Sequence, residues 1–264
     1  MKQEALDFLQ EARALHRLIA ARPTTFLNEA TLFKGWTVEE IVRHLHVWNV
    51  MADLSRTDPE AFAAQIEHVG AGIMSGTTRQ VERQVCTLHG RPLIVAWQDR
   101  YERMGAEWAL VDPRLRLKWV GPDLSARTSI SASIMEVWAH GQAVFDIAGV
   151  SRSPTPRLWN IVALGLNTFG WSHQVNGYEV PPAMPLVRLT LGQEVREWGD
   201  QTVGRIEGPA EAFAQVVTQT RSIADVPLTV MGDVAQRWMQ MVQCFAGPRN
   251  APPSAGTRHI AQTG

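Results

Sequence analysis

Apolar side chains recur at Leu6, Leu9, Ala12, Leu15 and Ile19. That three- and four-residue spacing predicts a helix over residues 3–21. Pro23 and Thr24 mark a loop. A second helix opens at Thr37, because a Thr followed three residues later by Glu40 forms a capping box. Its apolar face runs through Ile41, Leu45, Trp48 and Met51 towards Leu54. Asp58-Pro59-Glu60 begins a short helix, since proline suits the first helical position. Residues 76–110 read as one long helix, broken or kinked at Arg91-Pro92. The period fades over 112–129, where Lys118-Trp119-Val120-Gly121-Pro122 carries turn residues. Helix resumes near Ser129 and passes Glu136 and His140 to Ile147, with Gly149 as its stop.

A further helix is expected over 157–175, after the linker-like Ser151-Arg152-Ser153-Pro154-Thr155-Pro156. Beyond Pro181-Pro182 the period shortens to two. Leu186-Val187-Arg188-Leu189-Thr190-Leu191 alternates as a strand does, and residues 194–198 and 204–207 read as two more. Gly208-Pro209-Ala210 opens a helix to about Thr220, and 234–245 form the last one. The expected class is α+β: an antiparallel four-helix bundle followed by a small α+β domain. The domains are placed at 1–152 and 153–248, with 249–264 as a flexible tail rich in Pro, Gly and polar residues.

At 264 residues the chain is long enough for a sizeable core. Its formal charge of −1 gives no electrostatic case for nucleic acid or an anionic membrane. No apolar run approaches the roughly 20 residues that span a bilayer. The first residues, Met1-Lys2-Gln3-Glu4-Ala5-Leu6-Asp7, lack the apolar core of a signal peptide. With only Cys86 and Cys244, reduced thiols and a cytoplasmic location are the expectation. Both cysteines read as buried small hydrophobes rather than nucleophiles. Ten tryptophans against two tyrosines suit packed helices and pocket walls alike.

The candidate chemistry lies in Met135-Glu136-Val137-Trp138-Ala139-His140-Gly141. On a helix, Glu136 and His140 stand four residues apart on one face, with Cβ atoms about 5–6 Å apart. Ile134, Met135, Val137 and Trp138 make this helix apolar, so an inward Glu and His need partners. A divalent ion would satisfy both. His44 of the second helix offers a third ligand, and such sites are built from facing helices in bundles. His46 diverges from His44 by about 200° on a 3.6-residue helix. The face of Ile41, Leu45 and Trp48 favours His44, with His46 as the alternative. Two imidazoles and a carboxylate suit catalytic Zn, and also Fe(II) or Ni(II). The competing reading is a solvated Glu–His pair.

The chain also resembles the mycothiol-dependent maleylpyruvate isomerase-like branch of the DinB superfamily. The matching segments are Gly35-Trp36-Thr37 leading to His44-Leu45, Trp119-Val120-Gly121-Pro122 with Ser125-Ala126-Arg127, and Met135 through Gln142. Gly208-Pro209-Ala210 and Gln243-Cys244-Phe245-Ala246-Gly247-Pro248 match the C-terminal portion. The resemblance implies a DinB-like four-helix bundle, a sterol-carrier-like α/β domain, and one divalent metal, typically Zn, on His44, Glu136 and His140. It implies mycothiol as thiol cosubstrate, activated as a metal-bound thiolate that attacks an electrophilic small molecule.

Position 143 is Ala where an acid is expected, Thr218-Gln219-Thr220-Arg221 has one basic residue where a pair is usual, and His46 is an added histidine. These departures favour S-transfer or thiol exchange, as in secondary metabolism or antibiotic biosynthesis, over cis–trans isomerisation of the maleylpyruvate type. A third reading is a non-catalytic binder of a hydrophobic ligand. Arg127 and Arg221 are candidates for an anionic substrate, since guanidinium pairs well with carboxylates. Trp119, Trp138 and His46 are candidates for the pocket wall, and His173 a further one. His16, His68, His89 and His259 carry no supporting context.

Overall fold

The computed structural model describes residues 1–120 and 123–262. Gly121 and Pro122, read above as turn residues, lie outside them, as do the last two residues of the expected tail. The chain divides into two compact units, Met1–Ile147 and Ala148–Gly264. Its class is α+β.

The first unit contains α1 (Lys2–Ala20), a 3₁₀ turn (Thr24–Asn28), α2 (Val38–Thr57), α3 (Pro59–Ser75), α4 (Thr78–Val85), α5 (Gly90–Trp108) and α6 (Ala126–Ile147). A two-stranded ladder, β1 (Arg116–Leu117) against β2 (Leu124–Ser125), precedes α6. The four long helices pack in a ring: α1 touches α5 and α6, and α2 touches the same two. Phe8, Leu15, Ile41, Leu45, Leu93, Trp97, Tyr101 and Trp108 fill the interior, each at most 1% exposed. Burying one such side chain contributes about 1.5–3 kcal/mol.

Side-chain pairs set the helix directions. Gly105 of α5 lies against Leu9 of α1, while Arg13 reaches Glu102, so α1 and α5 run antiparallel. Arg127 bonds Glu4, and Gly141 lies against Leu15, so α1 and α6 run parallel. Glu39 bonds the Gly90 amide and Arg56 pairs with Glu107, so α2 and α5 are parallel as well. The bundle is therefore antiparallel in only half of its neighbour pairs. A parallel pair needs a long return connection, and α3 and α4 provide it between α2 and α5.

The expected single helix over 76–110 is two helices. Pro92 does not break it. It sits in the first turn of α5, where a missing N–H costs little. The break is at 86–89, and buried Arg43 holds it, donating from Nε to the Cys86 carbonyl (3.1 Å) and from Nη2 to the Leu88 carbonyl (2.7 Å).

The second unit contains α7 (Leu158–Asn167), α8 (Phe169–Val175), β3 (Pro185–Leu191), β4 (Glu194–Trp198), β5 (Asp200–Pro209), α9 (Ala210–Val217), β6 (Thr229–Met231) and α10 (Asp233–Met241). The helix expected over 157–175 is interrupted at Thr168, whose hydroxyl donates back to the Leu164 carbonyl at 2.9 Å. The sheet order is β4-β3-β5-β6, with β3 and β5 parallel and the other pairs antiparallel. The chain passes from β4 to β5 across the start of β3 at Gly199. A Cβ there would lie 2.2 Å from the Pro185 carbonyl oxygen, so only glycine fits. Val187, Leu189 and Ile206 are fully buried on the sheet, where α9 and α10 pack.

The stretch expected as a flexible tail is hydrogen-bonded within this unit. The Gly256 amide donates to Asp225, Gln219 donates to the Asn250 carbonyl, and Arg258 donates to the Gln219 carbonyl. No helix among the described residues is long and apolar enough to cross a membrane.

Candidate metal centre

The start of α2 is fixed by the capping box: the Thr37 hydroxyl accepts from the Glu40 amide (3.2 Å), and Glu40 accepts from the Thr37 amide (2.9 Å). Glu40 also pairs with Arg79 and Arg83 of α4. Just before the cap, Phe33-Lys34-Gly35-Trp36 forms a tight turn closed by the Trp36 amide on the Phe33 carbonyl (2.9 Å). Lys34 and Gly35 both take positive φ, 52° and 68°, as a primed turn requires. Glycine meets that requirement without strain. The turn delivers Phe33 and Trp36 to the same place.

That place is where α2 faces α6. His44 Nε2 lies 3.4 Å from Glu136 Oε2, and His140 Nε2 lies 3.2 Å from the same oxygen. One ligand atom from each of the three residues lies within 4.8 Å of the other two. The imidazole of His140 stacks on Trp36, with centroids 5.7 Å apart, and meets Phe33 edge-on at 4.9 Å. Trp36 meets His44 edge-on at 5.4 Å. His44 and His140 are largely covered, while the Glu136 side chain keeps 30% of its surface exposed. The group is thus walled by rings and open along one carboxylate.

Behind His44 stands Glu82 of α4, which is 1% exposed. Its Oε1 accepts from His44 Nδ1 (2.7 Å) and from Trp48 Nε1 (2.9 Å). Glu82 was missed by sequence reasoning. It lies between Arg79 and Arg83, and an acid among arginines reads as a solvated helix face. Trp48, four residues after His44, was the signal that the His44 face continues into a packed polar contact.

The charges are strongly coupled. Burial lowers the pKa of His44, but Glu82 and Glu136 outweigh it and raise it to about 10. Burial opposes ionisation of Glu136, yet hydrogen bonds to His140 and His44 hold its carboxyl well below the usual carboxylate range. Burial and the neighbouring His44 charge push His140 down. An ionised carboxylate between two imidazoles is the donor set a borderline divalent ion prefers. The buried Nδ1 of His140 has no hydrogen-bond partner among the described residues. The residues therefore fit one divalent metal ion.

Residues 8–145, more than half of the chain, match the family model described as the mycothiol maleylpyruvate isomerase N-terminal domain. The chain belongs to this family. It is 31% identical over 245 residues to a protein of Mycobacterium tuberculosis described as uncharacterized, found in strains CDC 1551 / Oshkosh and H37Rv. The match covers 92% of this chain and 95% of that protein. In fold, the family member resembles the crystal structure of the mycothiol-dependent maleylpyruvate isomerase, with a TM-score of 0.53 at 14% identity. That likeness covers 82% of this chain and 88% of the other. A histidine-to-alanine mutant of the same isomerase gives a TM-score of 0.52 at 13% identity.

The other sequence candidates of this family member have surroundings of their own within each unit. Trp119 stacks on Phe62 (6.1 Å) and tilts against Trp48 (5.7 Å), one ring removed from His44. Trp138 is buried two residues beyond Glu136, about 200° round the helix from it. Burial and the positive charge of Arg100 on α5 lower the pKa of His46 to about 4. Arg127 is 59% exposed and paired with Glu4 at 2.9 Å. It lies nine residues before Glu136, about 14 Å along the helix axis. Arg221 is buried in the second unit, where its Nη1 donates to the Thr220 carbonyl (2.9 Å). His173 is fully buried in that unit against Phe169.

Proposed function

We propose that this family member is a divalent-metal-dependent enzyme that activates a low-molecular-weight thiol, mycothiol, for attack on an electrophilic small molecule. The observation that carries the reading is the convergence of His44, Glu136 and His140 from two facing helices, with a buried carboxylate behind His44. These three residues would hold the metal. Bound there, a divalent ion such as Zn²⁺ supplies positive charge that lowers a thiol's pKa from about 8.5 and favours the nucleophilic thiolate.

The chain's own residues supply the rest. The rings of Phe33 and Trp36 shield the imidazoles from water on one side. The exposed edge of Glu136 leaves an approach for a thiol and an acceptor. Trp119 and Trp48 extend an apolar wall from His44. S-transfer follows when the thiolate sulfur bonds to an electrophilic carbon and a leaving group departs with the bonding pair. The departures from the family pattern, Ala143 above all, support this reading.

A second reading is isomerisation, favoured by the fold shared with the mycothiol-dependent maleylpyruvate isomerase. There the thiolate adds to a conjugated double bond, the resulting single bond rotates, and the thiolate leaves unchanged. Incubating the metal-loaded protein with mycothiol and a panel of electrophiles, maleylpyruvate included, separates the two. A thioether product seen by mass spectrometry marks S-transfer; a geometric isomer with the thiol recovered marks isomerisation. Turnover without any thiol, or undiminished in His140→Ala, contradicts both.

A further inference from the structure

We infer that Glu82 is a positioning residue: it fixes His44 in the Nδ1-protonated form and aims the Nε2 lone pair at the metal position. This deepens the proposed function and rests on its metal reading. The Trp48 indole N–H can only donate, and its acceptor is Glu82 Oε1 at 2.9 Å. The same oxygen lies 2.7 Å from His44 Nδ1. A carboxylate oxygen that already accepts one hydrogen bond accepts a second, so Nδ1 is the donor. The other ring nitrogen, Nε2, faces Glu136 Oε2 at 3.4 Å. The ring is thus clamped at one nitrogen and presented at the other. A carboxylate behind a metal-binding histidine fixes its tautomer and raises its basicity.

The location of Glu82 points to the same role. It is 1% exposed, so it is a carboxylate placed in the interior rather than one that strayed there. Its helix, α4, belongs to the connection that returns the chain from α2 to α5. Arg79 and Arg83 of that helix pair with Glu40, the acid of the α2 cap. The same short helix therefore grips α2 at its first turn and again at His44. His140 has no such support: its buried Nδ1 has no partner among the described residues.

The test is zinc affinity of the full-length, metal-stripped protein, measured by competition with a chromophoric chelator. Glu82→Gln keeps an acceptor oxygen and loses the charge, so affinity falls about tenfold; Glu82→Leu loses both and falls further, towards about a hundredfold. A merely structural Glu82 would lower the melting temperature and leave the zinc affinity of the folded protein unchanged, which would overturn the inference. The second arm needs no variant. Imidazole ¹⁵N spectra of the zinc-loaded wild type are expected to show His44 protonated at Nδ1 and metal-bound at Nε2. Metal on Nδ1, or a proton on Nε2, would overturn it whatever the variants do. A wild type that binds no zinc overturns the proposed function and this inference together; a wild type that binds zinc as tightly as both variants overturns this inference alone.

Discussion

His44 and His140 reach the same Glu136 oxygen from opposite helices, and they are held there by different means. The α2 side is polar: His44 is hydrogen-bonded to a buried carboxylate that also takes the Trp48 indole. The α6 side is aromatic: His140 packs against both Phe33 and Trp36, with its second nitrogen buried and unpartnered among the described residues. Hydrogen bonds choose which ring nitrogen carries the proton. Ring packing sets only the plane of the imidazole. The candidate centre thus has one histidine fixed in chemistry and orientation and another fixed in orientation alone.

The largest loss is expected at the shared carboxylate. Glu136→Ala leaves two facing imidazoles with no charge between them, and metal is expected to be lost on simple desalting, read by elemental analysis. Retention of a full equivalent would remove Glu136 from the ligand set. On the aromatic side, Trp36→Ala deletes a ring that is 8% exposed, with an expected cost of about 3–5 kcal/mol in stability. Denaturant melts check that figure, and the His140 side is expected to lose more order than the His44 side.

Protonation sharpens the contrast. His44, raised from 6.5 to about 10, carries a second proton, on Nε2, in the metal-free protein at neutral pH, whereas His140 is pushed down. The raised value means that the His44 proton stabilises the metal-free fold fully below pH 6.5, and that this contribution is lost as pH rises through about 10. Metal binding must expel the same proton. Affinity is therefore expected to rise roughly tenfold per pH unit between about 7 and 9, with one proton released. Calorimetry in buffers of different ionisation enthalpy measures that count, and a pH-independent affinity would mean that His44 is already neutral. The smallest effect is expected at Arg127. Its exposed pair with Glu4 is worth about 1 kcal/mol or less, and Arg127→Ala should leave metal affinity unchanged.

Much of this was legible in the chain. The i,i+4 spacing of Glu136 and His140 and the capping box at Thr37 and Glu40 are local patterns with local causes. The face of Ile41, Leu45 and Trp48 favoured His44 over His46, and in the structure His44 stands 3.4 Å from Glu136. Glu82 was not legible because its partner lies 38 residues away and its neighbours are arginines. The turn that carries Phe33 and Trp36 to His140 likewise depends on a tertiary contact. The parallel pairing of α2 with α5, and of β3 with β5, was missed for the same reason: periodicity reports which face is buried, not which way a distant neighbour runs. The three residues of β6 are too few to show a period.

The His44, Glu136 and His140 cluster is proposed to hold a metal to which a thiol is brought. Cobalt(II)-substituted protein titrated with mycothiol tests it most directly by absorption spectroscopy. The expected result is a sulfur-to-metal charge-transfer band that saturates at one thiol per cobalt and is absent in His140→Ala. A cobalt-loaded wild type whose spectrum does not respond to mycothiol would contradict it.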